Sequence, residues 1–255
     1  MEQNLSKKTR TESDLIGSRE VPESALYGVQ TLRGIENFRI SKFHLNEYPL
    51  FIQALAITKM GAAVANRELD LLTEEQTDAI LRACKEILEG KHHEQFPVDM
   101  IQGGAGTTTN MNINEVVANR ALELMGHQRG EYQYCSPNDH VNRSQSTNDA
   151  YPTAIHIGLY YTHLKLVKHF EVLIEAFRKK GSEFAHIIKM GRTQLEDAVP
   201  MTLGQTFNGF ASILEHEVKN LDFAAQDFLT VNMGATAIGT GITAEPEYAE
   251  KCIAA

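Results

Sequence analysis

A mainly α protein is predicted by three observations. Apolar or small residues at Leu203, Phe207, Phe210, Leu214, Val218, Leu221, Ala225 and Phe228 advance in steps of 4, 3, 4, 4, 3, 4 and 3, which places them on one face of a helix. Other segments repeat that periodicity, whereas period-two alternation is weak apart from short stretches near Phe38 to Phe43. The chain has 255 residues, 42% hydrophobic and 22% charged, enough to build a core without disulfide or metal staples.

Taken in order, the polar opening residues lack the apolar run of a signal peptide, and residues 1–13 are expected to be a disordered tail. A first helix is predicted from about Tyr48 to Leu69 and a second from Thr73 to Leu88. Thr73 and Gln76 form a capping box for the second, and Gly90 suits a left-handed stop. A third helix is predicted over Ile113 to Met125, ending at Gly126. Residues Gly126 to Asn148 turn to Gly, Pro, Asn and Ser and read as an ordered loop.

A longer helix is predicted from about Thr153 to Lys180, where Leu166, Phe170, Leu173 and Phe177 share a face and Gly181 would close it. The Leu203 to Phe228 helix would span about 39 Å, which suits a long bundle shared between subunits. Tyr248 to Ala255 resembles the opening of another helix with no stop after it, so the chain is expected to be a fragment. The expected organisation is a tail (1–13), an N-terminal helical domain (14–148) and a partial helical-bundle domain (149–255).

With 24 Lys+Arg against 33 Asp+Glu the formal charge is −9, which disfavours a nucleic-acid partner. No uncharged apolar run approaches the 18 or so residues of a membrane span. Cys84, Cys135 and Cys252 are far apart and odd in number, which suits a reducing compartment, the cytoplasm.

Three strings concentrate small hydroxyl and amide residues. Gln102 to Asn110 (QGGAGTTTN) precedes a predicted helix, so its glycines and the helix N-terminus suit an anion. It lacks the G-K-[ST] of a Walker loop, and an N-capping turn without ligand explains it equally well. Ser144 to Asp149 (SQSTND) puts neutral donors and acceptors before the next helix; capping accounts for one of them, not five. Gly191 to Pro200 (GRTQLEDAVP) is longer than a minimal helix connection, although a plain polar loop remains an equal reading.

No H-E-x-x-H, clustered Cys/His or G-x-S-x-G is present. His92-His93-Glu94 reads as a solvated turn, His140 as a structural hydrogen-bonding histidine and Lys189 as a surface residue.

The strings GGAGTTTNMNINEV (Gly103 to Val116), SPNDHVNRSQSTNDAYPT (Ser136 to Thr153), MGRTQLEDAVPMTLGQ (Met190 to Gln205) and NMGATAIGTG (Asn232 to Gly241) closely resemble the fumarase/aspartase superfamily. The resemblance runs from about Asp14, beginning DLIGSREVPESALYGVQTLRGIENF, to the end of the chain. Within the superfamily, Ser146-Thr147-Asn148 and Thr193-Gln194 resemble the aspartase branch, since fumarases carry Ser-Ser-Asn and Thr-His there.

The resemblance implies a central helical bundle, incomplete here at its C-terminal side, and an active site shared within a homotetramer. It implies cofactor-free, reversible deamination of L-aspartate to fumarate and ammonia through an aci-carboxylate, with a fumarase or a non-catalytic helical assembly module as rivals. Thr107, Ser146, Thr147, Asn148, Thr193 and Gln194 are carried over as the substrate-binding set. The family's G-S-S-x-M-P-x-K-x-N loop, whose serine is the general base, is absent from the sequence and expected beyond Ala255, so no catalytic residue or metal ligand is named. The 255-residue chain alone is expected to be inactive.

Overall fold

The computed structural model describes residues 8–255, and their helical character matches the predicted class. Strands β1 (Thr9–Asp14) and β2 (Gly17–Pro22) lead into helix α1 (Val29–Asn37). Helices α2 (Pro49–Glu68), α3 (Glu74–Leu88), α4 (Thr107–Leu124) and α5 (Thr147–Glu183) follow. A hairpin of β3 (Ile188–Thr193) and β4 (Glu196–Thr202) then leads to α6 (Leu203–Ala225) and a short α7 (Tyr248–Ala254).

The helices begin and end for local reasons. Thr73 accepts the Gln76 N–H at 3.2 Å and the Gln76 side chain returns to the Thr73 N–H at 3.1 Å, the predicted capping box. Thr202 and Gln205 repeat the arrangement at α6, and Pro49 opens α2 at a position where no N–H is needed.

Several expectations are corrected. Residues 9–13, expected in a disordered tail, belong to β1, which pairs antiparallel with β2; residues 1–7 of that tail lie outside the described residues. The stretch near Phe38 to Phe43 is not a strand; Asp99 instead gathers the Ile40 and Ser41 N–H groups. The third string, expected as a loop, is the β3–β4 hairpin, whose tip residues Gln194 and Leu195 both take positive φ, as a tight two-residue turn requires.

Gly181 lies inside α5 rather than closing it. A Cβ there would run into the Asn208 side chain, and one at Gly204 would run into the Gly181 carbonyl. These glycines permit close approach of α5 to α6, a packing need that outweighs the low helix propensity of Gly. The α6 helix itself ends at Ala225, and Gln226–Leu229 continues as a 3-10 turn.

Contacts divide the chain into two compact units: residues up to Gly158 with Val231–Ala255, and Leu159–Thr230. The predicted boundary at 148/149 lies within the first of these. In this first unit Leu45, Ile52, Leu55, Ile80, Ile87, Phe96, Ile113, Val116 and Leu122 are wholly buried in one core. A second cluster joins Ala62, Ala65, Ala150, Met233 and Tyr248. Cys84 and Cys135 sit buried, and burial pushes both thiols up to about 12.

The second unit pairs the later turns of α5 with α6. Phe177, Phe184, Phe207 and Phe210 interlock with ring centroids 5.5–6.2 Å apart. Arg178 bonds Glu215 through three contacts of 2.8, 2.9 and 3.1 Å. Among the described residues, no helix is long and apolar enough to cross a membrane.

Candidate functional site

Helix α4 starts six residues earlier than its apolar pattern suggests. Its first turns are polar, yet Thr109, Asn110, Asn112, Asn114, Glu115 and Asn119 are all buried; specific partners hold most of their polar atoms, whereas Asn112 Oδ1 and Asn114 Oδ1 have none among the described residues. Gln102 closes the preceding loop by accepting the Thr109 N–H at 2.9 Å and donating to the Thr109 hydroxyl at 2.8 Å. Glu115 accepts the N–H groups of Gly28, Gln30 and Thr31 at 2.8–3.0 Å. It thereby caps α1, where a negative group meets the positive end of the helix.

Lys59 is the group the sequence reading missed. It lies 1% exposed on the Ala-rich α2, and its ammonium donates to Asn110 Oδ1 (2.8 Å), Asn142 Oδ1 (3.1 Å) and Gln145 Oε1 (2.7 Å). Three carbonyl acceptors match the three protons of an ammonium. Desolvation acts against the charge and pulls the pKa to about 7. A lysine amid Ala, Ile and Met on the predicted Tyr48–Leu69 helix was the available signal.

Through Lys59 the first two strings meet. Asn110, from the first string, also donates to Thr147 Oγ1 at 3.1 Å, and a Cβ at Gly106 would run into the Tyr151 ring of α5. Gly106 therefore has to be glycine both for its φ of 89° and for this contact. Thr107, the first residue of α4, is exposed beside it. The Thr107 and Thr108 N–H groups belong to the first turn, where helix geometry supplies no intrahelical acceptor.

Two hydroxyls of the second string accept inside the fold, whereas Ser144 Oγ donates to Asn66 Oδ1 at 2.7 Å. Ser146 Oγ takes the Asn148 N–H at 3.2 Å and Thr147 Oγ1 takes Asn110. A hydroxyl that already accepts keeps its proton to donate, so both are arranged as donors to an incoming acceptor. Asn148, exposed, spends one amide N–H on the Ala237 carbonyl at 2.8 Å. Asp149 is fully buried and accepts from Ser146 N and Thr236 N at 2.9 and 2.8 Å; burial raises its pKa despite these donors and Lys59.

Thr107, Ser146, Thr147 and Asn148 thus share the first unit. Thr193 and Gln194 belong to the second, exposed at the end of β3 and on the hairpin turn. His140 accepts the Ser136 N–H at 2.7 Å through Nδ1, and burial lowers its pKa. His92 faces Glu86 at 2.9 Å and His93 the Ile87 carbonyl at 2.9 Å.

A family profile described as Lyase matches residues 17–255. Aspartate ammonia-lyase from Pseudomonas canavaninivorans is 58% identical over 240 residues, covering 94% of this chain and 51% of that protein. Aspartate ammonia-lyase from Escherichia coli (strain K12) is 55% identical over 245 residues, 96% of this chain and 51% of that protein.

Among solved structures, the fumarate lyase:delta crystallin from Brucella melitensis bound to cobalt superposes with a TM-score of 0.92 at 51% identity. That match covers 97% of this chain and 54% of the other. A class II fumarase from Schistosoma mansoni gives a TM-score of 0.88 at 35% identity, over 96% and 51% of the two chains. The chain spans about half the length of the curated relatives it matches. With a matched profile across nearly all its residues, the chain belongs to the lyase family of the fumarase/aspartase superfamily.

Proposed function

We propose that this chain supplies part of the substrate site of a carbon–nitrogen lyase that reversibly deaminates L-aspartate to fumarate and ammonia. The observation that carries the reading is the set of neutral donors in the first unit: the Ser146 and Thr147 hydroxyls, both already accepting, beside the Asn148 amide and the N-terminus of α4. The identity of 55–58% to aspartate ammonia-lyases supports L-aspartate as that substrate.

The chemistry asks for such donors. Removing the proton beside one carboxylate builds a second negative charge on that carboxylate, and fixed donors stabilise charge as it develops. Ser146, Thr147 and Asn148 bind substrate carboxylate, while Thr107, Thr193 and Gln194 help hold the amino group or the second carboxylate. The donors are neutral, so they stabilise the aci-carboxylate without holding the dianionic product as a full cation would.

The same reading includes a homotetramer. Leu164, Leu166, Val172 and Leu173 on α5, with Phe210 and Ile213 on α6, are 41–71% exposed, an apolar surface of the kind buried between helices of a bundle. The free thiols of Cys84, Cys135 and Cys252 suit the cytoplasm.

The test is fumarate formation followed by absorbance, with L-aspartate or L-malate offered to the protein at the length of its relatives. Turnover of L-aspartate alone is expected. Turnover of L-malate alone would replace the reading with a fumarase, and turnover of neither would remove it.

A further inference from the structure

Residues 232–237 contribute no side chain to the substrate set, yet they are bonded to the turn that carries half of it, Ser146, Thr147 and Asn148. Asp149 Oδ1 accepts the Ser146 N–H, an ordinary helix-start contact, but Oδ2 accepts the Thr236 N–H at 2.8 Å. Asn148 donates to the Ala237 carbonyl at 2.8 Å, and Asn232 donates back to the Asn148 carbonyl at 3.0 Å. That last acceptor is available because Pro152, four residues on in α5, has no N–H to offer it.

The arrangement carries local costs. Thr236 takes a φ of 58°, a left-handed conformation unfavourable for a β-branched residue, and its buried hydroxyl has no partner among the described residues. A buried carboxylate beneath an anion-binding turn also repels the anion. Its advantage is geometric: two oxygens accept two N–H groups from separate segments, where an asparagine amide offers one acceptor and a donor that opposes the second N–H.

We propose that Asp149 is a positioning residue for dicarboxylate recognition, clamping the Ser146–Asn148 turn to residues 232–237 so that its donors are aimed before the ligand arrives. This rests on the dicarboxylate reading of that turn. Preorganised donors bind more tightly because no ordering is left to complete on binding.

The test compares Asp149→Asn and Asn232→Ala with the unsubstituted protein. Amide hydrogen exchange is measured on the 255-residue chain, and KM and kcat for L-aspartate on the protein at the length of its relatives. For Asp149→Asn, exchange at Ser146 and Thr236 is expected to rise about tenfold or more, the change that about 1.4 kcal/mol of lost local protection gives. Ala118 and Leu122 in the core of α4 stay protected, and KM rises about tenfold while kcat changes much less. Asn232→Ala, in an exposed loop, moves both readouts the same way by a smaller factor.

Unchanged exchange at Thr236, or equal loss of KM and kcat effects across a uniformly loosened first unit, overturns the clamp. Should Asp149→Asn fail to fold, Asn232→Ala decides: unchanged exchange across residues 146–149 overturns it. If the unsubstituted protein fails to turn over L-aspartate, the activity reading falls, while the exchange measurements still decide the clamp.

Discussion

Lys59, Glu115 and Asp149 in the first unit are charged and at most 2% exposed, whereas Val172, Ile213 and Phe223 in the second are apolar and 71%, 60% and 82% exposed. The usual assignment of charge to the outside and apolar surface to the inside is inverted in both places, for different reasons. Each buried charge of the first unit is matched by hydrogen-bond partners, three for Lys59 and three N–H groups for Glu115. Such satisfaction needs several elements around each group. The second unit is built on two helices and a hairpin, and two helices cannot enclose a seam between them.

The core of the first unit is the most sensitive to truncation. Phe96→Ala, at a wholly buried ring, is expected to lower unfolding free energy by about 3–5 kcal/mol in urea titrations; a loss under about 1 would mean that core is loosely packed. Next comes Gly204→Ala, where the added Cβ meets the Gly181 carbonyl and the Ala185 backbone. It is expected to cost the second unit about 1–3 kcal/mol. Hydrogen exchange should show α6 loosening while α4 keeps its protection.

Glu86→Gln probes an ion pair at the edge of the first unit. Glu86 receives Arg120 at 2.6 and 2.8 Å, and this guanidinium, with His92, holds its carboxyl near a pKa of about 2 against an ordinary 4.5. A depressed folded-state pKa stabilises the protein above about 4.5, and the contribution is lost as pH falls through about 2. After allowance for solvent screening of this partly exposed pair, the stability difference between wild type and Glu86→Gln is expected to be about 2 kcal/mol near neutrality and to shrink across that acid window. A gap that stays constant with pH would refute the linkage.

The smallest effect is expected at Phe223→Ala. With 82% of the residue exposed, the unfolding free energy of the 255-residue chain should change by about 0.5 kcal/mol or less. A larger loss at high protein concentration only, seen by sedimentation, would show that another copy covers this face.

How much was legible follows the same division. The α2 and α3 boundaries were read to within a residue or so, because local capping chemistry and apolar spacing set them. The face of α6 was legible too, since Phe207, Leu214 and Val218 repeat at helical spacing. The start of α4 was not. Its residues Thr107 to Asn112 are poor at advertising a helix, and their partners, Lys59, Gln102 and Gln95, come from elsewhere in the chain. The β3–β4 hairpin escaped because Arg192 to Asp197 lack alternation, and backbone pairing rather than apolar patterning holds it.

By itself, the sequence determined the helical class, the capped helix starts and the strings rich in neutral donors, because periodicity and capping act over a few residues. Tertiary structure alone decided that Lys59 would serve as a hub for the first two strings, that Gly181 would pack rather than terminate, and that Asp149 would reach Thr236. Those are relations between residues from 23 to 87 positions apart, and no local pattern encodes which distant group will arrive to satisfy a buried charge.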